Sequence, residues 1–406
     1  MDMIGSLLKS SSADDIAADF VAFVADKQSE DVLKTFVLDE ALPHTHIAVD
    51  GIEKAIAWLS KTERSPKLLL IDLQGSDMPL SDLARLADVC EPSVQVIALG
   101  ERNDVGLYRS LLSIGVHDYL VKPLTVGLLK RTIDMRSGKV NPVAQVRAGK
   151  IVAFAGARGG VGTTTVAVHL ARDLAASHRR VAYVDLNLHG GAATSMFGLQ
   201  GNNGLLDVLQ NVRRLDPAYV ERTMLAAQDS RLFVLSAELD WGEPRPFEEG
   251  SLGRVLDLLV ASFHYVMLDI GELADPLAEE ALDHAARAYI VADRSVHAAR
   301  ETVRLTRYID NRSGNPITAV LLNNPNAVVA GKVESPDFVA AIGRPVLQEL
   351  PFESRALAIA ENVGIALPKG RGDAFHQAIA RVANDLTGNQ VHAERRSLWQ
   401  RLGFAK

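Results

Sequence analysis

The chain is 406 residues long, too long for one ordinary hydrophobic core, so two domains are expected. Hydrophobic residues at 48% and charged residues at 23% match soluble globular domains, and aromatic residues at only 5% argue against a protein built on base-stacking platforms. A net charge of −7 offers no general attraction for DNA or anionic lipid, and the single cysteine, Cys90, excludes an internal disulfide. No segment approaches the roughly 20 apolar residues needed to cross a bilayer, so a cytoplasmic protein is expected.

Residues 1–17 read as a leader that lacks the basic start and apolar stretch of a secretion signal. Across 18–136, strand patterns at Phe20–Ala25, His46–Val49, Leu68–Leu73, Val94–Leu99 and Tyr119–Val121 alternate with helical patterns. Such alternation implies a parallel sheet covered on both faces. Residues 137–149 carry Gly, Pro and polar residues without period and read as a linker. A second alternating block fills 150–388, with strands expected at Ile151–Ala155, Val181–Asp185, Leu232–Ser236, Tyr265–Leu268, Ala288–Val291, Ile317–Asn323 and Pro345–Leu350. Residues 389–406 form a tail. The expectation is therefore an α/β chain of two doubly wound parallel-sheet domains.

The run Ala157-Arg158-Gly159-Gly160-Val161-Gly162-Thr163-Thr164-Thr165 lies between the first strand of the second block and a helical pattern. Strand, glycine loop and helix in that order are what a phosphate-binding loop requires. The glycines let backbone N–H groups turn inward around an anion, and the helix points its positive dipole end at it. The lysine that normally reaches the β- and γ-phosphates is missing, and Thr163 stands there. Asp185 and Asp269 each end an apolar strand, the pattern that holds Mg²⁺ through water, and Thr164 supplies the hydroxyl for direct ligation.

With these residues in place, the chain resembles the ParA/MinD family of ATPases, whose variant loop reads Lys-Gly-Gly-x-Gly-Lys-Thr-Thr. It is most similar to the branch that assembles Tad-type (Flp) pili, the CpaE/TadZ proteins, which carry a receiver-like domain in front. Further positions that carry the likeness are Val184-Asp185-Leu186, Leu322-Asn323-Asn324-Pro325 and Leu350-Pro351-Phe352-Glu353. The resemblance implies a P-loop fold of the deviant Walker A type and implies ATP and Mg²⁺ as ligands. It also implies base contacts from Asn323 and the backbone at Pro351, and a homodimer through the nucleotide site.

Three departures from that family bear on mechanism. Thr163 replaces the phosphate lysine. Arg158 replaces the signature lysine that, in the family, reaches across the dimer to the partner's phosphates. Asn187 stands where a second aspartate orients the attacking water, so no catalytic residue is assigned with the family's chemistry. A hydrogen bond to a charged group contributes roughly 1.5–3 kcal/mol against roughly 0.5–1.5 for a neutral one, so losing a lysine weakens binding without abolishing it. Hydrolysis suffers more, because Asn187 and Thr163 supply neither a carboxylate nor a cation to the transition state.

In the front block, Leu68-Leu69-Leu70-Ile71-Asp72 and the later Lys122-Pro123 are similar to the phosphoacceptor aspartate and the Lys-Pro of bacterial receiver domains, which share a flavodoxin-type fold. The first strand runs into Asp26-Lys27, so at most one of the usual acidic pair survives, with a lysine beside it. The sensing hydroxyl position falls on Gly100. A docking pseudo-receiver is expected rather than a phospho-switch.

The tail combines Val391, Leu398, Trp399 and Leu402 with three arginines, and reads as a weak membrane-surface helix, a helix on its own domain, or a partner-docking segment. The resulting expectation is an ATP-binding, dimerising protein that positions or recruits Tad/Flp pilus assembly machinery, with slow or absent hydrolysis. Its site of action would be the cytoplasm, peripherally at the inner membrane or cell pole. The alternative is an active ATPase of the ParA/MinD type that cycles between nucleotide states.

Overall fold

The computed structural model describes residues 18–388, apart from 63, 135–147, 228–229, 243–246, 325, 327–332, 354, 368–369 and 371. The expected leader, most of the linker and the tail lie outside the described residues, as does Pro325. The chain divides into two compact units. One comprises Met1–Gly149 with His178–Arg180 and Leu258–His264; the other comprises Lys150–Ser177, Val181–Asp257 and Tyr265–Lys406.

The first unit alternates β1 (Phe20–Val24), α1 (Lys27–Asp39), β2 (Thr45–Val49), α2 (Ile52–Lys61), β3 (Leu68–Asp72), α3 (Pro79–Val89), β4 (Gln95–Gly100), α4 (Val105–Ser113), β5 (Asp118–Val121) and α5 (Val126–Asp134). Its five strands are parallel in the order β2-β1-β3-β4-β5, the flavodoxin-type doubly wound arrangement. Successive side chains of a strand point to opposite faces, and here both faces are buried. Val21 and Phe23 enter one core cluster with Leu69, Ile71 and Leu83, while Phe20, Ala22 and Val24 enter another with Leu33, Phe36 and Leu129. Helix α1 begins earlier than the apolar pattern alone indicates, because Asp26 caps it by accepting from the Ser29 amide at 2.7 Å.

The second unit starts with β6 (Lys150–Gly156), α6 (Thr163–Ala176) and β7 (Val181–Asp185). Short helices α7 (Ala193–Met196), α8 (Gly204–Gln210) and α9 (Pro217–Thr223) follow, then β8 (Leu225–Ala226) and β9 (Leu232–Leu235). The remainder is α10 (Ser251–Ser262), β10 (Tyr265–Ile270), α11 (Pro276–His284), β11 (Arg287–Ala292), α12 (Val296–Asp310), β12 (Ile317–Asn323), α13 (Ser335–Ile342), β13 (Val346–Leu350), α14 (Arg355–Val363) and α15 (Asp373–Thr387). The sheet order is β13-β12-β11-β6-β10-β7-β9-β8, parallel throughout except for the two-residue edge strand β8, which pairs antiparallel with β9. Strand β8 escaped the sequence pattern because two residues show no period.

Strand β6 lies at the centre, with β10 on one side and β11 on the other. The chain leaves β6 towards β7 on one flank and later builds β11, β12 and β13 on the other. That reversal opens a crevice at the carboxyl end of β6, where open α/β sheets bind ligands. Helix α6 seals the sheet behind it with an apolar face of Val166, Leu170, Ala171 and Leu174 against Phe154, Tyr183 and Met267. Burying one such leucine contributes about 1.5–3 kcal/mol, so the helix that carries the loop is firmly anchored.

Candidate nucleotide-binding site

The glycine loop occupies that crevice. Gly160 and Gly162 have φ of 75° and 85°, left-handed values that a side chain would strain. A Cβ at Gly162 would also lie 2.5 Å from the Asn323 amide nitrogen. Among the described residues, no group accepts a hydrogen bond from the N–H groups of Gly159, Gly160, Val161, Gly162, Thr163, Thr164 or Thr165; the first amide of the following helix to find one is Val166, which donates to the Gly162 carbonyl at 3.0 Å. Orphan amides at the start of a well-packed 14-residue helix form an anion cradle.

Below the loop two carboxylates meet. Asp185, the last residue of β7, and Asp269, the last but one of β10, pair in direct register on adjacent strands, and they are 2% and 3% exposed. Asp185 accepts the Asn187 amide at 3.0 Å and the Ala193 amide at 3.3 Å. Asp269 accepts the Tyr183 hydroxyl at 2.8 Å, and the Thr164 hydroxyl lies near enough to favour its charged form. Burial, and then the charge of Asp269, push the Asp185 carboxyl up to about 7. Burial likewise raises Asp269, against the opposing effect of the Thr164 and Tyr183 hydrogen bonds. Two buried acids with no basic partner call for a cation or a shared proton.

This donor set fits Mg²⁺. A hydroxyl and two carboxylates are oxygen ligands of the kind that ion prefers, and it is commonly bound by one or two carboxylates plus substrate phosphates. Among the described residues there is no group of three or more His, Cys, Asp or Glu able to hold a metal alone, so phosphate oxygens would have to complete the shell.

The remaining residues singled out in the sequence fall in three places. Thr163 opens α6, and its hydroxyl sits over Gly156, where an added Cβ would lie 2.6 Å from it. Thr165 donates its hydroxyl to Glu361 of α14 at 2.7 Å. Asn187 follows β7 and packs against Gly271, whose Cβ would lie 2.5 Å from that of Asn187. Pro351 directly follows β13 and is half-buried. Two positions differ from what the resemblance implies. Asn323 is buried and donates to the Val161 carbonyl at 2.7 Å, bracing the loop from the end of strand β12 instead of presenting its amide nitrogen to a base. The Arg158 guanidinium lies on the Asp293 carboxylate rather than over the cradle. Asp293, Glu361 and Tyr183 were missed; Asp293 had the same signal as Asp269, an apolar strand ending in aspartate.

In the first unit Asp72 is buried, accepting the amides of Ala25 at 2.9 Å and Gln74 at 3.0 Å. Lys122 reaches into the same place, 2.6 Å from both Asp72 and Asp26 and 2.5 Å from the Gln74 side-chain oxygen. The cation in this pocket is thus Lys122, brought there by the fold, and not the adjacent Lys27, whose side chain is exposed on the first turn of α1. Burial disfavours the charged ammonium, but the bonds to Asp26 and Asp72 outweigh it and raise the Lys122 pKa. For Asp26, burial is likewise outweighed, by Lys122 and Ser29, and its pKa falls. At Gly100 a Cβ would lie 2.5 Å from the Tyr119 hydroxyl, which donates to the Arg102 carbonyl at 2.9 Å, so an aromatic ring fills the space a sensing side chain would need.

The AAA domain family matches residues 149–316, which contain the loop and both acidic strand ends. The second unit carries a ParA/MinD-type P-loop ATPase domain. Within the curated proteins, this P-loop domain is similar to the chromosome partitioning protein ParA of Myxococcus xanthus, at 28% identity over 169 residues. That match takes in 40% of this chain and 58% of the relative's length. A solved structure of the septum site-determining protein MinD with Mg-ADP, from Pyrococcus horikoshii, superposes with a TM-score of 0.51 at 20% identity. It covers 59% of this chain and 96% of its own, and shows a shared fold. The pilus assembly protein CpaE of Caulobacter crescentus is 28% identical over 29% of this chain and 97% of its own, but its TM-score of 0.27 implies nothing for this chain. No helix among the described residues is long and apolar enough to cross a membrane.

Proposed function

We propose that the protein binds ATP with Mg²⁺ at the P-loop, self-associates through that site, and positions or recruits Tad/Flp pilus assembly machinery while hydrolysing ATP slowly or not at all. The observation that carries the nucleotide part is the row of unpartnered amides from Gly159 to Thr165 above an uncompensated pair of buried carboxylates. Anion above and cation below is the arrangement of a Mg²⁺–polyphosphate. Thr164 would ligate the ion, and Asp185 and Asp269 would hold its water shell; when bound, the ion neutralises phosphate charge. The MinD neighbour was solved with Mg-ADP, which agrees with a nucleotide of this class. Asn323 and the backbone at Pro351 would lie on the base side, Asn323 through its carbonyl oxygen.

Weak turnover follows from the residues themselves. The loop has no lysine, Arg158 is engaged by Asp293, and Asn187 offers an amide where a carboxylate would orient water. The pilus assignment rests on the sequence likeness to the CpaE/TadZ branch. In this reading residues 18–136 act as a docking pseudo-receiver, closed by Lys122, ahead of the P-loop domain at 150–388. The tail at 389–406 would supply any weak membrane contact. An active cycling ATPase is the second reading, favoured by the Thr164–Asp269 contact at the metal position.

Calorimetric titration of Mg-ATP into the full-length protein, with a turnover assay on the same sample, separates these readings. Binding in the micromolar to low millimolar range with turnover far below about 1 s⁻¹ is expected, and turnover at ordinary ATPase rates would favour the second reading. Absence of binding at millimolar ATP would remove both.

A further inference from the structure

The cationic residue closest in sequence to the cradle is held back by its own chain. Arg158 places Nε 3.3 Å from Asp293 Oδ1 and Nη2 on Oδ2, while Nη1 donates to the Gly159 carbonyl at 2.9 Å. Every nitrogen of the guanidinium fork therefore meets an acceptor of the second unit. Asp293 is fixed in turn. It is the first residue after β11, and its Oδ1 accepts the Ser295 hydroxyl at 2.7 Å. Ser295 caps α12 through the Ala298 amide at 3.1 Å. The base of the loop is tied to the same strand, where the Ala157 amide donates to the Val291 carbonyl at 2.8 Å. Loop and latch thus share one rigid support.

We propose that Asp293 is an intrachain latch on Arg158, so that nucleotide binding must exchange a carboxylate for phosphate oxygens on the same guanidinium. The inference rests on the nucleotide reading above and adds a positioning residue to it. A planar guanidinium fork pairs equally well with carboxylate and phosphate, so the two anions compete for one group. Asp293 is little exposed and Arg158 is 32% exposed, so the pair is partly screened and the exchange remains within reach of a triphosphate. Through this latch the chain would keep a low-affinity resting state even though its cradle is preformed.

Calorimetry with Mg-ATP on the full-length wild type, Asp293→Asn, Arg158→Ala and the double variant tests this. Asn keeps an acceptor for Ser295, and Asp293→Ser, run in parallel, should tighten binding in the same direction if Asp293→Asn fails to fold. Asp293→Asn should lower Kd roughly five-fold, Arg158→Ala should raise it, and the double variant should match Arg158→Ala. An unchanged or weaker Kd in Asp293→Asn, or a tightening that survives in the Arg158→Ala background, overturns the latch while leaving the nucleotide reading intact. Binding by Asp293→Asn where wild type shows none supports the latch. No binding by any of the five at millimolar ATP removes the nucleotide reading and the latch with it.

Discussion

Both units end parallel strands in buried aspartates, yet they satisfy them in opposite ways. In the first, Asp26 and Asp72 share the ammonium of Lys122, so both acids have a cation within 2.6 Å without any ligand. In the second, Asp185 and Asp269 face one another with only hydroxyls and amides for partners, and Asp185 is pushed up to about 7. The difference is one lysine. A buried acid given a cation by its own chain is structural, whereas a buried acid pair left without one is poised for a cation from solution.

Removing the internal cation should erase the difference, with the largest effect. Lys122→Met leaves Asp72 buried and unpaired, and breaking such a pair costs about 3 kcal/mol. Urea unfolding of the full chain should show that loss in its first unit, and millimolar Mg²⁺ should recover part of it. A stability unchanged by the substitution would mean that Lys122 is not what holds the pocket together.

The second pocket predicts a pH slope of the unusual sign. Asp185 has a folded pKa raised from 3.8 to about 7, so between those values the folded protein holds a proton that the unfolded chain has released. Stability of the ligand-free protein should therefore fall as pH rises from about 4 to about 7. Asp185→Asn should flatten the slope, and thermal melts across that range measure it. A rise in stability over the same window, once other carboxylates are accounted for by the Asp185→Asn control, would contradict the uncompensated pair.

The smallest effect belongs to Tyr183→Phe. Its hydroxyl donates to Asp269 at 2.8 Å within a fully buried ring, so removal should cost about 1.5 kcal/mol at neutral pH. The cost should shrink at low pH, where the protonated pair needs the donor less. Equal losses at pH 4 and pH 8 would assign the hydroxyl a packing role only.

How much of this was legible in the sequence differs by kind of feature. The parallel sheets were legible because buried strands such as Leu68–Asp72 and Tyr265–Ile270 are short continuous apolar runs, and each lies between helical periods. The loop was legible because its chemistry is local: glycines, hydroxyls and the helix start lie within nine consecutive residues. Strand β8 was not, being too short to show a period. The partners of the charged groups were the least legible. Lys122 lies 96 residues from Asp26, Arg158 135 from Asp293, and Asn323 162 from Val161.

The amino-acid order by itself therefore determined two α/β units, a glycine loop lacking its lysine, and aspartates at strand ends, since each depends on periodicity or on neighbours within one turn. Only the tertiary structure decided which acids are neutralised and which are left in need, and where Arg158 and Asn323 direct their donors. The reason is that charge compensation acts through space over a few ångströms, and the sheet order, not the sequence order, chooses which strand ends come that close.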